Sequence, residues 1–131
     1  MCDRKMTPDE IRQKIQQVKK QRLTELDLSG NSLTEIPTEV FELEWLKKWD
    51  LINNQLTSVP ESIGRLTNLC ILELSHNELT SVPKSIGRLT NLARLDLTHN
   101  PLEEPPLKIA EKGINAIREY FRQKQGGEDT L

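Results

Sequence analysis

A leucine returns every 23 residues along this chain, as Leu23, Leu46, Leu69 and Leu92, and each one opens the same phrase, LxxLxLxxNxL. The frame fits four times: Leu23, Leu26, Leu28, Asn31, Leu33; Leu46, Trp49, Leu51, Asn54, Leu56; Leu69, Leu72, Leu74, Asn77, Leu79; and Leu92, Leu95, Leu97, Asn100, Leu102, with Trp49 its one departure. A unit this short cannot bury its own apolar face. Copies at a fixed period do so by stacking, each lending leucines to the next.

Within each copy, LxxLxLxx puts leucines on one face of a short strand and the intervening residues on the other, so only one side is buried. The asparagine falls where the chain turns inward. Stacked copies Asn31, Asn54, Asn77 and Asn100 are predicted to bond backbone groups of the turn, a structural ladder. The second half of the unit begins Ile36-Pro37, Val59-Pro60 and Val82-Pro83, followed by Val40 and Leu43, Ile63 and Leu66, Ile86 and Leu89. Proline fixes φ and removes a donor, and too few residues remain for a full helix, so the return side is predicted to hold turns and short helical pieces. Gly64 and Gly87, each in SIGRLTNL, are predicted to end those pieces.

This pattern resembles the leucine-rich repeat family. The resemblance implies an α/β solenoid: a leucine-rich repeat arc of four 23-residue repeats, with a short parallel sheet on the concave face and a capping helix at each end. The phrase NPLEEPPLKIAEKGINAIREYF, with repeats of the form LTSVPESIGRLTNL, resembles more closely the repeat region of bacterial Roco proteins just before their Roc GTPase domain. It implies an interaction role, with a GTPase domain as a possible partner. No GxxxxGK[ST] occurs in the chain, so phosphate binding does not carry over. Similar repeats also occur in intracellular proteins that bind Ras-like GTPases.

The ends differ from the repeats. Thr7-Pro8-Asp9-Glu10 spells a helix start, with Thr7 as N-cap and Glu10 placed to reach back to it, and Ile11, Ile15 and Val18 follow at helical spacing. At the other end Ala110, Ile114, Ile117 and Phe121 share a helical face, with a kink expected at Gly113. Residues 1–22 are thus assigned to an N-terminal capping helix, 23–105 to the repeats, 106–124 to a C-terminal capping helix and 125–131 to a flexible tail, one domain overall. Residues 1–6 are expected to be frayed.

Charge argues against nucleic acid. The net charge is −2, and seven basic against three acidic residues in 1–22 give +4, leaving −6 for the rest. Basic residues are not interleaved with exposed aromatics. The two cysteines, Cys2 and Cys70, form no disulfide framework, and no stretch is apolar enough for a signal peptide or a membrane span. A soluble cytoplasmic protein without membrane contact is expected.

No catalytic grouping and no cofactor motif emerges. His76 and His99 lie one repeat apart, roughly 5 Å from each other by strand spacing, and are read as turn filling, since no third metal ligand accompanies them. What remains is the concave face. Its central column reads Asp27, Asp50, Glu73, Asp96, carboxylates at roughly 4.8 Å intervals that repel unless paired. One flanking column reads Glu25, Lys48, Ile71, Arg94 and the other Ser29, Ile52, Ser75, Thr98. Lys48 and Arg94 offset part of the repulsion. Ile52 and Ile71 break the polar pattern, and Trp45, standing where later copies have Asn68 and Asn91, is placed at the rim as a half-exposed anchor. Trp49 is assigned to the core.

Asp27, Lys48, Asp50, Ile52, Ile71, Glu73, Arg94, Asp96 and Trp45 therefore form the candidate partner-binding face. It offers a few hundred Å², below the roughly 800 Å² per partner of a stable interface. The function expected is non-enzymatic: a module that binds a protein, itself a monomer or weak homo-oligomer. The alternative is a consensus-like repeat scaffold without a dedicated ligand.

Overall fold

The computed structural model describes residues 5–129. Cys2, most of the segment expected to fray, and Thr130 and Leu131 of the expected tail lie outside them. The first helix, α1, spans Pro8–Gln21 and begins with the capping box the sequence spells: the Glu10 amide donates to Thr7 Oγ1 at 3.2 Å, and the Thr7 amide donates to Glu10 Oε1 at 2.9 Å. Ile11, Ile15 and Val18 are buried in the same apolar cluster as the leucines that follow. The helix stops at Arg22, whose φ of 48° is left-handed.

Four three-residue strands come next: β1 Glu25–Asp27, β2 Lys48–Asp50, β3 Ile71–Glu73 and β4 Arg94–Asp96. They pair in parallel in the order β1-β2-β3-β4, and every step of the register is 23 residues, as in Leu26↔Trp49, Trp49↔Leu72 and Leu72↔Leu95. Trp49 fills its leucine slot, fully buried, with its ring edge-on to Phe41 at 6.0 Å between centroids.

The asparagine ladder holds the turns beyond the strands. Asn54 Nδ2 donates to the carbonyls of Leu28 and Leu51, both at 3.0 Å, while its Oδ1 accepts from the amides of Asn31 and Leu33. Asn77 and Asn100 repeat the pattern one and two steps on. Each side chain is thus buried but satisfied, and joins two adjacent turns. At the first step the partner is different: Asn31 Oδ1 accepts from the Met6 amide at 2.7 Å.

Just before each asparagine the backbone turns left-handed, at Gly30 (φ 67°), Asn53 (63°), His76 (60°) and His99 (60°). Glycine, asparagine and histidine are the residues that tolerate this region at small cost, which explains a column that otherwise shares no chemistry.

On the return side three 3-10 turns, Thr38–Glu42, Glu61–Arg65 and Lys84–Arg88, each start after their proline. Gly64 and Gly87 lie inside these turns and do not end them; Leu66 and Leu89 stand at the ends. The reason at Gly64 is proximity: a Cβ there would sit 3.1 Å from Cβ and O of Ser85 on the next turn.

After β4 the chain forms a single helical turn, α2 (Leu107–Ala110), and then α3 (Ile114–Asp129), broken from it at Gly113, where φ is 104°. Ala110 and Ile117 are buried, and Leu107, Ile114 and Phe121 pack partly against the core. Arg118 fixes α3 to the last 3-10 turn, donating to the Gly87 and Leu89 carbonyls at 3.0 and 2.8 Å. The glycines at 126 and 127 predict a flexible tail from Gln125, yet α3 runs on through them to Asp129. A glycine costs a helix about 1 kcal/mol, which an already nucleated helix can absorb.

Candidate interaction surface

The parallel register brings the predicted columns together on the open face of the sheet: Asp27, Asp50, Glu73 and Asp96 lie side by side, as do Glu25, Lys48, Ile71 and Arg94. The four acids are handled in different ways. Asp27 Oδ1 accepts from the Ser29 amide and hydroxyl at 2.9 and 2.7 Å, and Asp96 Oδ1 accepts from the Thr98 amide and hydroxyl at 3.0 and 2.7 Å. Asp50 accepts only the Ile52 amide, at 3.0 Å, because isoleucine has no hydroxyl to add. Glu73, one methylene longer, reaches sideways, and its Oε2 accepts from Arg94 Nε at 3.1 Å while the buried Oε1 has no hydrogen-bond partner.

Their proton affinities follow. At Asp27 burial acts upward, but the Ser29 hydroxyl and amide together with Lys14 and Lys48 outweigh it and hold the carboxyl below its ordinary value. Asp96 is likewise lowered against burial by Thr98, with Arg94 and His99 contributing. Asp50 goes the other way: burial, then the neighbouring charges of Asp27 and Glu73, push it up against the Ile52 amide and Lys48. The D-x-[ST] spacing of Asp27 to Ser29 and Asp96 to Thr98 is the sequence signal for these self-satisfied turns, and its absence at Asp50 is the signal for the exception.

Ile52 and Ile71 are both half-exposed, as is Lys48, and Arg94 is exposed. Trp45 is half-buried and committed to the fold on two sides. Its Nε1 donates to the Leu23 carbonyl at 3.0 Å, and the Arg22 guanidinium lies 4.3 Å from the ring centroid. Asn68 and Asn91, in the same place in later copies, also donate to the preceding copy, but to carbonyls two residues earlier in the frame, those of Glu44 and Thr67 at 2.7 and 2.9 Å. Beside this rim, Leu23 is 39% exposed.

His76 and His99 stack with centroids 4.1 Å apart and planes 9° from parallel. Parallel rings cannot aim two nitrogens at one ion between them, and among the described residues no group of three or more His, Cys, Asp or Glu converges. A groove of about 390 Å³ between α1 and the first turn, lined in part by Met6, Ile11, Ile15 and Leu33, has no counterpart in the sequence reading. It lies at the first copy, where Leu33 is only partly buried while its counterparts Leu56 and Leu79 are fully buried.

A family model for the leucine-rich repeat region matches residues 9–112. The chain belongs to the leucine-rich repeat family. This leucine-rich repeat chain is similar to a leucine-rich repeat protein of Leptospira interrogans, with 36% identity over 74% of this chain and 23% of that one and a TM-score of 0.62. It is similar to an internalin of Listeria monocytogenes, 31% identical over 62% of this chain and 24% of that one, TM-score 0.56. It is also similar to the ectodomain of a plant membrane receptor kinase from Arabidopsis thaliana, solved in complex with Casparian strip integrity factor 2, with 38% identity over 59% and 10% of the two chains and a TM-score of 0.55. The chain therefore spans between 10% and 24% of the length of these three structures. A search of curated protein sequences gives no match. Leucine-rich repeat domains generally mediate protein–protein interaction.

Proposed function

We propose that this leucine-rich repeat chain is a non-enzymatic module that binds a protein partner through the concave face of its sheet, with α1 and the α2–α3 segment capping an arc of four repeats. One observation carries the reading: Asp50, Ile52 and Ile71 form a contiguous patch that the fold leaves underused. Asp27 and Asp96 each accept a hydroxyl as well as an amide from their own turns, and Glu73 pairs with Arg94, whereas Asp50 accepts an amide alone and lies between two half-exposed isoleucines. A carboxylate bordered by aliphatic side chains suits a basic residue whose stem lies along the isoleucines. The interaction role general to leucine-rich repeat domains, and the similar receptor ectodomain solved in complex with Casparian strip integrity factor 2, support a protein as the class of partner.

In its finer form the proposal sets the module in the cytoplasm as the repeat domain of a Roco-like protein or a short relative, acting as a monomer or weak homo-oligomer on a partner or a neighbouring GTPase domain. The phrase from Asn100 to Phe121 supports this setting. Reading the coding sequence past Leu131 tests it, since a P-loop within a few tens of residues is expected.

The test of the surface is a double substitution, Asp50→Lys with Ile71→Lys, in the full chain. It is expected to abolish recovery of partners from the source cell while the melting temperature moves by only a few degrees. The scaffold reading draws on the internal pairing of three of the four acids. It would prevail if the unmodified chain stayed monomeric and captured nothing at high concentration, or if the double variant captured the same proteins as the parent.

A further inference from the structure

The two ends of the sheet are finished differently. Beside β1, the outward Asp27 carbonyl accepts from Lys14 Nζ at 2.5 Å, Asn31 accepts from the Met6 amide, and Leu26 and Leu28 are buried to 1% and 0% exposure. β4 is covered only in part, with Leu97 buried to 2% exposure but Leu95 half-exposed. In the inner copies, the carbonyls of Thr24, Lys47 and Cys70 each accept two amides of the following strand; the equivalent Ala93 carbonyl accepts none. The amides of Leu28, Leu51 and Leu74 donate to Asp50, Glu73 and Asp96, and those of Gly30, Asn53 and His76 to Ile52, Ser75 and Thr98; the equivalent Leu97 and His99 amides find no acceptor among the described residues.

Packing shows the same asymmetry. Leu95 is half-exposed, while its counterparts Leu26, Trp49 and Leu72 are buried. α3 is held to the 3-10 side by Arg118. Between β4 and α2 this leaves a cleft of about 180 Å³, lined by Leu95, Leu97, Leu107, Ala110 and Glu111.

An unpaired strand edge is a template for another strand. We propose that the free edge of β4 takes up an extended segment of a partner protein as a fifth parallel strand, with an acidic, an aliphatic and a basic residue in succession. The register decides the chemistry. The residue opposite Leu95 points into the cleft, where Leu95, Leu97, Leu107 and Ala110 supply the apolar part of the lining. Its two neighbours point to the open face, one beside Arg94, whose side chain is 61% exposed, and the other beside the Asp96 carboxylate. Opposite charges at those two places are stabilising, and like charges repel. This surface adjoins the Asp50–Ile52–Ile71 patch only where Arg94 pairs with Ile71, and it is reached from the outer side of β4.

A capped synthetic peptide, Ser-Thr-Glu-Leu-Lys-Thr-Ser, titrated into the isotope-labelled full chain and followed by NMR, tests this directly. The Leu97 and His99 amide signals are expected to shift and to exchange more slowly with solvent. In the existing ladder, the Arg94 amide points back to β3 and the Asp96 carbonyl accepts from Leu74. In an added strand the glutamate and lysine amides therefore point to β4, and the leucine amide points away. Methylating the peptide nitrogen of glutamate or lysine should weaken binding about tenfold or more, and methylating that of leucine should not. Exchanging the glutamate and lysine should weaken it as well. The Ile52→Lys variant, two strands away from β4, should bind the peptide like the parent, which separates this edge from the concave face. The proposal is overturned if millimolar peptide leaves the Leu97 and His99 amides unmoved, if all three methylations act alike, if the charge exchange has no effect, or if the shifts centre on Ile52 and Ile71.

Discussion

At the scale of single residues, this molecule depends on side chains that act as pieces of backbone. Asn77 serves the Leu56 amide and the Leu51 and Leu74 carbonyls at once. Asn77→Ala leaves the Leu56 amide without a partner, while the Leu51 and Leu74 carbonyls keep Asn54 and Asn100, and is expected to cost about 1–3 kcal/mol in urea denaturation. The acids of the central column divide by sign. Asp27 and Asp96 have lowered folded-state pKa values, so their contribution is present above the unfolded value near 3.8 and is lost as pH falls through the folded one. Asp50 is raised, so its contribution is largest below the unfolded value and declines as pH rises through the folded one. At pH 7, Asp27→Asn should lower the melting temperature while Asp50→Asn leaves it level or raises it, and the difference should vanish near pH 2. The periodic column itself was legible in the sequence. Its division was not, because it depends on the identity of the residue two places on, which the leucine frame treats as free.

At the scale of elements, what the sequence made legible is what recurs. The strands, their 23-residue register, the proline-led 3-10 turns and the asparagine ladder all follow from repetition. What escaped is what happens between copies. Gly64 reads as a terminator because glycine so often ends helical pieces, yet its role is to let one turn approach Ser85 of the next. Gly64→Ala should therefore destabilise by about 1–3 kcal/mol. Gly87 stands in the same phrase, but a Cβ there meets only the flexible Arg118 Cγ at 3.4 Å. Gly87→Ala should be neutral or slightly stabilising, since it restricts the unfolded chain. Thermal denaturation of the two variants side by side checks both. Trp45 shows the same limit: its substitution for asparagine stands out in the sequence as a possible anchor, and its engagement with Leu23 and Arg22 appears only in three dimensions.

At the scale of the whole molecule, stability is a chain of neighbour-to-neighbour contacts with unequal ends. The β1 end is closed by Lys14 and the Met6 amide, and the β4 end is open. Native-state hydrogen exchange should reflect this. Amides of β2 and β3 should exchange slowest, and the Leu97 and His99 amides faster than those of Leu51, Leu74, Asn53 and His76. Equal protection at all four strands would contradict the asymmetry.

Each asparagine reaches from its own turn to the one before it, so the hydrogen-bonding demands of any copy are met within a window of about two units. That makes the copy, and not the domain, the interchangeable part. A block running from one asparagine to the next can be duplicated or excised in frame without orphaning a buried polar group, whereas an insertion of any other length between strand and asparagine breaks the series. Arrays built this way are free to lengthen by copying a single internal block, and constrained to do so in steps of 23.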